Sequence, residues 1–432
     1  YWIGMNSGAT VTVVIFSLVC AIAYLSIFWG VGGLLIGLIS DIKGRYFAMP
    51  FLIVSLEWLR SFGPLGFSWG NLALTQSQFS IILQHMDYGG SYIIALWICI
   101  INSLICYSLF EKPLKLKNKI RLVYIFFLFI GIGVLKKFYY SSKDYSYNLN
   151  IAVIQPNIDP NEKWDKSNRD VTFEFMDSLH NVAINMNPDI ILFPETALPT
   201  YLRLNNIVKN KIQSKVDSTS IPILIGTVDR RYDSLGKKLY FNSSMLLKPH
   251  QNYDIYDKIH LVPFAEYDLM PELLHPLIDL NLNIDRGIFV GGDNYKVFKI
   301  NGVNFSNLIC YESSFSKYSR NFVFNGAQFL MIQANDGWLG NSAGPYQHFE
   351  HAKLRSIENR IPIVRSGNTG ISGAILPSGV VKEKVPIGKE SVFSVNIPLG
   401  NNNSLYTRYG DFLAVMCFVI FIFIHQFSKC IK

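Results

Sequence analysis

The stretch "VNFSNLICYESSF", Val303–Phe315, runs a short apolar segment straight into a cysteine, a tyrosine and a glutamate. Residues 303–310 read as a strand, and one too apolar to keep a face in water, so the stretch predicts a sheet covered on both sides. A cysteine that closes such a strand is by default a small packing residue. It becomes a nucleophile only where a base and a positive charge meet it.

The same pattern recurs on either side. "LNIAVIQ" (149–155), "DIILFPE" (189–195), "IPILIGTV" (221–228), "YFNSSMLL" (240–247), "AQFLMIQAN" (327–335), "IPIVRSG" (361–367) and "ISGAIL" (371–376) also read as strands. Helices are expected over 168–184, 204–216 and 345–360, the last opened by Pro345 and carrying Arg355, Glu358 and Arg360 near its end. Helices interleaved with buried strands imply sheets held between helical layers.

Further out the composition changes. The 432 residues are 50% hydrophobic and only 16% charged, with a mean hydropathy of +0.24. Residues 1–40 and 88–110 contain no Asp, Glu, Lys or Arg, which is what a bilayer asks of a spanning helix. Spans are expected at 12–39, 46–62, 88–110, 120–139 and 411–428, around a water-soluble region. The start of the chain has no basic segment ahead of its apolar run, so it reads as the inside of a longer hydrophobic region and not as a signal peptide.

The net charge of +8 does not point to nucleic acid, because Lys112, Lys115, Lys117, Lys119 and Arg121 sit together between two hydrophobic runs. That is the pattern of a cytoplasmic loop. With Lys43 and Arg45 inside as well, the globular region falls outside; Lys136 and Lys137 are the exceptions. Glu57 and Arg60 lie on one helical face near the membrane, as a neutralised pair or as a contact for lipid headgroups.

Of the six cysteines, only Cys310 belongs to the globular region, and no Cys/His spacing suggests a metal or other cofactor. Two other strand ends carry charge. Glu195 follows "ILFP", and Lys258 precedes Glu266 by eight residues in "YDKIHLVPFAEY". Each alone reads as an ordinary charge. Together they supply what a thiol nucleophile needs: Glu195 as base, and Lys258 with the backbone N–H of Tyr311 where an oxyanion develops. His260 and His348 remain open as rivals.

The order Glu, Lys, Cys in "FPETALP", "YDKIHLVPFAEY" and "ICYES" resembles the nitrilase, or carbon–nitrogen hydrolase, superfamily. With the hydrophobic runs, "EWLRSFGPLGFSWGNLALTQ" (57–76), "VIQPNIDPNEKWD" (153–165), "NDGWLGNSAGPYQHFEHAKLRSIENRIPIVRSGNTGIS" (335–372) and "TRYGD" (407–411), it resembles the membrane branch of that superfamily, the apolipoprotein N-acyltransferases.

The resemblance implies a multi-span α-helical membrane domain (1–140, about four spans), an α+β nitrilase-like domain (149–400) built as a four-layer αββα sandwich, and a C-terminal span at 411–428. It implies Glu195, Lys258 and Cys310 as the catalytic residues. Glu266, Tyr311 and Glu312 would support the site, and Trp164 and Trp338 would bind substrate. It implies a bacterial inner-membrane protein with a periplasmic catalytic domain, acting as a monomer without cofactor, metal or nucleic acid. The acyl donor would be a phospholipid such as phosphatidylethanolamine and the acceptor a diacylglyceryl apolipoprotein. The family usually has eight spans, so the membrane part is expected to be incomplete at its start. Two other readings stay open: a membrane-anchored amidase of small amides, and an inactive scaffold.

Overall fold

The computed structural model describes residues 11–39, 42–111, 113, 115–143, 147–267, 289–399 and 404–430. The uncharged start up to residue 10, Lys112 of the basic loop and part of the expected catalytic domain (268–288) lie outside the described residues. The chain divides into two compact units, one built mainly from Asp144–Ser356 and Ile361–Asn402, the other from Thr10–Lys143, Ile357–Arg360 and Asn403–Lys432.

The first unit contains two six-stranded sheets. One is built from β1 (Tyr147–Gln155), β2 (Ile190–Leu192), β3 (Ile223–Tyr232), β4 (Lys238–Leu247), β5 (Asp254–Asp257) and β12 (Ser391–Leu399), in the order β12-β1-β2-β3-β4-β5. The other is built from β6 (Phe298–Ile300), β7 (Val303–Ile309), β8 (Phe329–Ala334), β9 (Ile363–Gly367), β10 (Ser372–Ile375) and β11 (Val381–Val385), in the order β11-β10-β9-β8-β7-β6. Each sheet has a parallel core, β1-β2-β3 or β7-β8-β9, with antiparallel strands outside it. In both, the carboxyl ends of the parallel strands are where open α/β sheets place their ligands.

The period of two along the first sheet explains its outer layer. Ala152 and Ile154, Ile191 and Phe193, Ile223 and Ile225, and Met245 and Leu247 all join one core with Met176, Leu179 and Ala183 of the helix Arg169–Ile184 and with Ile212 and Val216 of the helix Asn206–Thr219. Each such buried Leu, Ile or Met is worth about 1.5–3 kcal/mol over leaving it in water. The second sheet is covered by the helices Ser316–Phe324, against β7, and Gly344–Asn359, whose Phe349 ring lies against Gly373 of β10.

The two sheets meet face to face through β1, β9 and β10 and through β4 and β7. That interface is stitched by buried polar side chains. Gln333 Nε2 donates to Phe193 O (2.7 Å), Asn307 Nδ2 to Ser244 Oγ (2.6 Å) and Ser366 Oγ to Ile154 O (2.7 Å). Buried polar groups without partners are costly, so this network fixes the register of one sheet on the other.

All eight expected strands and three expected helices are present, with differences at the site. The strand expected to reach Glu195 ends at Leu192, and Thr196 then takes a left-handed backbone (φ 43°). The strand expected to include Cys310 ends at Ile309, because Cys310 itself is left-handed (φ 51°) and opens a short 3-10 helix, Cys310–Ser314.

The second unit contains five main helices: Val11–Gly37, Ile42–Leu59, Ser91–Phe110, Leu116–Ser142 and Phe412–Cys430. Five spans were expected, and helices lie at all five places. Three described helices are long and apolar enough to cross a bilayer, at Leu18–Gly37, Ser91–Phe110 and Leu116–Ser142. The helix Ile42–Leu59 carries Lys43, Arg45 and Glu57, and the apolar part of the last helix is shorter, Phe412–Phe427. Glu57 and Arg60 fasten the following loop: Glu57 Oε1 accepts from Leu72 N–H (2.7 Å), and Arg60 Nη2 donates to Gly70 O (2.9 Å). The two lysines that break the charge pattern are partnered, Lys136 with Asp87 and Lys137 with Ser80 Oγ (2.8 Å).

Candidate active site

The site forms where β2, β5 and β7 end. Cys310 is partly exposed, Glu195 and Lys258 are buried, and both charged groups act electrostatically on the Cys310 thiol. Lys258 Nζ lies 3.8 Å from Glu195 Oε1 and closer to Glu266, at 2.8 Å from Oε2 and 3.0 Å from Oε1. Asn242 Nδ2, from β4, donates to both carboxylates: 2.7 Å to Glu195 Oε1 and 2.8 Å to Glu266 Oε1.

Each group is fixed from behind. The Lys258 N–H donates to Asn242 O (2.8 Å), and Gly292 N–H donates to Lys258 O (2.8 Å). Val262 N–H donates to Glu266 Oε2 (2.8 Å). Pro194 O, Glu195 Cα and Thr196 N press on Gly226 of β3, where an added Cβ would approach them to 2.4, 2.7 and 2.7 Å. Glu312 gathers the rest: its Oε1 accepts from Tyr256 OH (2.8 Å), Ile259 N–H (2.7 Å) and His260 N–H (3.1 Å), and its Oε2 accepts from Ile309 N–H (2.7 Å). One carboxylate therefore ties the lysine segment to the cysteine segment. Burial pushes its carboxyl up to about 7, against the pull of those donors.

The electrostatics suit a base-assisted thiol. Burial and the Glu195 charge hold the Cys310 thiol well above the usual range, so it rests protonated and needs a base. Burial and Glu266 raise Glu195, opposed by Lys258, which favours proton acceptance. Burial opposes the Lys258 charge, but Glu266, Glu195 and Cys310 outweigh it and keep the ammonium protonated. A cation 3.8 Å from Glu195 Oε1 is an element that oxyanion stabilisation needs.

The structure thus brings together Glu195, Lys258, Cys310, Glu266 and Glu312. Tyr311 is buried, its ring stacked on His260 (5.6 Å between centroids) and edge-on to Phe315. Trp164 and Trp338 are 45% and 51% exposed, on segments after β1 and β8. Those segments abut, since a Cβ at Gly337 would lie 2.8 Å from Pro160 Cγ.

Behind Cys310 lies a group of which sequence reasoning had named only His348. His348 Nδ1 is 2.7 Å from Asp336 Oδ1, and His348 Nε2 is 2.9 Å from Cys310 O and 2.8 Å from Ser313 Oγ. Arg365 Nη2 donates to Asp336 Oδ2 (2.6 Å) and lies 3.1 Å from His348 Nδ1. Burial would raise Asp336, but Arg365 and His348 hold it well below the usual carboxylate range. Cys310, Asp336 and His348 bring donor atoms close enough for a metal ion. Their arrangement does not suit one, because the Asp336 and His348 donors are already engaged and a guanidinium faces both. Ser313 Oγ–H also donates to Cys310 O (2.8 Å), so the backbone carbonyl of Cys310 is pinned in its left-handed turn. Asn242 and Lys163 were missed too; a polar residue inside the buried run "YFNSSM" was the signal for the first.

Residues 150–405 match the family model of carbon-nitrogen hydrolases, and residues 1–104 that of the apolipoprotein N-acyltransferase N-terminal domain. The chain is 32% identical to an apolipoprotein N-acyltransferase of Geobacter metallireducens, covering 86% of this chain and 71% of the relative. It is 29% identical to one of Chlorobaculum tepidum, over 88% of this chain and 76% of the relative. Among solved structures, an amidase from Nesterenkonia sp. is similar at 15% identity and a TM-score of 0.46, covering 62% of this chain and 96% of that one.

Proposed function

Because the chain belongs to the apolipoprotein N-acyltransferases, the membrane branch of the carbon–nitrogen hydrolases, we propose that it moves an acyl chain from a phospholipid to the α-amino group of a lipoprotein. The observation that carries this is the convergence of Glu195 and Lys258, 3.8 Å apart, on the Cys310 thiol, in a chain with three described helices long and apolar enough to cross a bilayer.

In the first step Glu195 takes the thiol proton as Cys310 Sγ attacks the sn-1 ester carbonyl of the donor, with phosphatidylethanolamine as the preferred lipid. Lys258 Nζ and the Tyr311 N–H face the developing oxyanion. Collapse breaks the ester C–O bond, and the alkoxide leaves with the proton from Glu195 as a lysophospholipid. Cys310 retains the acyl chain as a thioester. In the second step the free amine of an S-diacylglyceryl cysteine attacks that thioester. Glu195 takes the amine proton and returns it to the departing Cys310 thiolate, giving an amide and the resting enzyme. Thiolate leaves readily and the amide is stable, so the direction is set. Glu266 and Glu312 hold Lys258 and the turn of Cys310, and Trp164 and Trp338 border the lipid.

The same reading places the helical part, 1–140 and 411–428, in the bacterial inner membrane and the catalytic part, 149–400, in the periplasm, with the protein acting as a monomer. The direct test uses the purified chain in detergent with phosphatidylethanolamine and a synthetic S-diacylglyceryl-cysteinyl peptide. N-acyl peptide and lysolipid are expected in equal amounts, and Cys310→Ala should abolish both. Hydrolysis of small amides with no acyl transfer to the peptide would contradict the reading in favour of an amidase.

A further inference from the structure

Lys163 closes the single helical turn Pro160–Lys163 and is 1% exposed. Its Nζ donates to Thr196 O (2.7 Å) and lies 3.4 Å from Thr196 Oγ1. Among the described residues no carboxylate lies within ion-pair distance of it. A fully buried ammonium held only by a peptide carbonyl and a hydroxyl is expensive to keep, which points to a task. Thr196 is the residue after Glu195, in a left-handed conformation that a β-branched side chain adopts only under constraint (φ 43°). Lys163 therefore grips the turn that aims the base, while Gly226 supports the same turn from β3.

The charges give Lys163 a second role. Glu195 and Glu266 are two carboxylates around one ammonium, and Lys258 sits nearer Glu266 than Glu195. The groups that act most on Glu195 are Lys258, Glu266, Asn242 and Cys310, and Lys163, bonded to the carbonyl of the next residue, also interacts electrostatically with it.

We propose that Lys163 is a positioning residue: the second ammonium of the site, which holds the Glu195 turn and keeps Glu195 ionised as the base for Cys310. Burial pushes Lys163 down to about 8, with Glu195 opposing, so it remains charged at neutral pH. The proposal rests on Glu195 serving as base for Cys310 and not on any lipid substrate.

The test reads Cys310 directly. The rate of its alkylation by iodoacetamide is followed from pH 5 to 9 on the full chain in detergent, by mass spectrometry of the Cys310 peptide. No lipid or lipoprotein is present, so failure here is distinct from failure of acyl transfer. Removing a positive charge raises the proton affinity of Glu195, so the acid limb of the profile must move to higher pH. Lys163→Gln keeps a donor to Thr196 O without the charge. It is expected to move the limb up by about one pH unit, a tenfold slower reaction on the acid side, while the plateau is kept. Lys163→Met, which suits a dry slot should the Gln variant not fold, removes the charge and the Thr196 donor together, so it should move the limb up likewise and lower the plateau as well. Lys163→Arg should leave the limb in place. An unmoved limb in Gln or Met, or an equal loss at every pH in all three, would overturn the proposal.

Discussion

At the scale of single residues, the proposed nucleophile is set by its backbone as much as by its sulfur. Cys310 is left-handed, and Ser313 Oγ–H on its carbonyl, with His348 2.9 Å away, keeps it so. His348 is set by Asp336, and Asp336 is shared with Arg365; Asp336 and Arg365 are almost fully buried. Asp336→Asn would leave the Arg365 charge without its carboxylate. It should cost about 3–5 kcal/mol of stability, read as a lowered unfolding midpoint in detergent, with catalysis falling in parallel. Gly370 reports on the same spot, since a Cβ there would lie 2.1 Å from Asp336 Oδ2. That Glu195 and Cys310 lie together was legible in the sequence because each follows an apolar run that marks its own strand end, whereas Lys258 stood out only by the apolar "LVPF" between it and Glu266. Asp336, Arg365 and Lys163 were not legible, and His348 was named only as a rival without its partners. Their partners lie far along the chain, and nothing in "NEKWD" says that its lysine points inward to Thr196.

At the scale of elements, the site is a set of strand ends held against each other. β3 supports the turn of Glu195 through Gly226, and Ala197 N–H donates to Gly226 O (2.8 Å). Gly226→Ala must push Glu195 away from Cys310. A displacement of that kind costs about a hundredfold in kcat/KM. The loss is expected in acyl transfer by the full chain, with Cys310 alkylation slowed as well. Unchanged kinetics would mean that the Glu195 turn tolerates movement. The parallel core strands were readable from their hydrophobic runs. β5 and β6, of four and three residues, are too short for a period to show. β11, "VKEKV", is a charged and mostly exposed edge, a composition that protects an edge strand and disguises it. β12 pairs with β1 along nine residues, yet Pro398 and its polar positions hide it.

At the scale of the whole molecule, a hydrolase-like fold and apolar helices share one chain, and the chemistry explains why. A thioester must be kept from water, and both substrates are lipids, so the helices serve the reaction as well as the address. The orientation is tested by a membrane-impermeant thiol probe on intact cells: engineered cysteines in 150–400 should react, and those in 111–121 should not; the reverse pattern would place the catalytic part in the cytoplasm. The spans show how far hydropathy reaches. It located all five helices, but Lys43, Arg45 and Glu57 set Ile42–Leu59 apart from the three that meet the length and hydropathy of a bilayer helix. The central claim is that the acyl chain passes through Cys310. Intact-mass spectrometry of the purified chain, mixed with a phospholipid of defined acyl chains and no acceptor, measures this directly. One added acyl mass on Cys310, removed by hydroxylamine or by the diacylglyceryl peptide and absent in Cys310→Ala, is the expected result. Acyl transfer that persists in Cys310→Ala would contradict it.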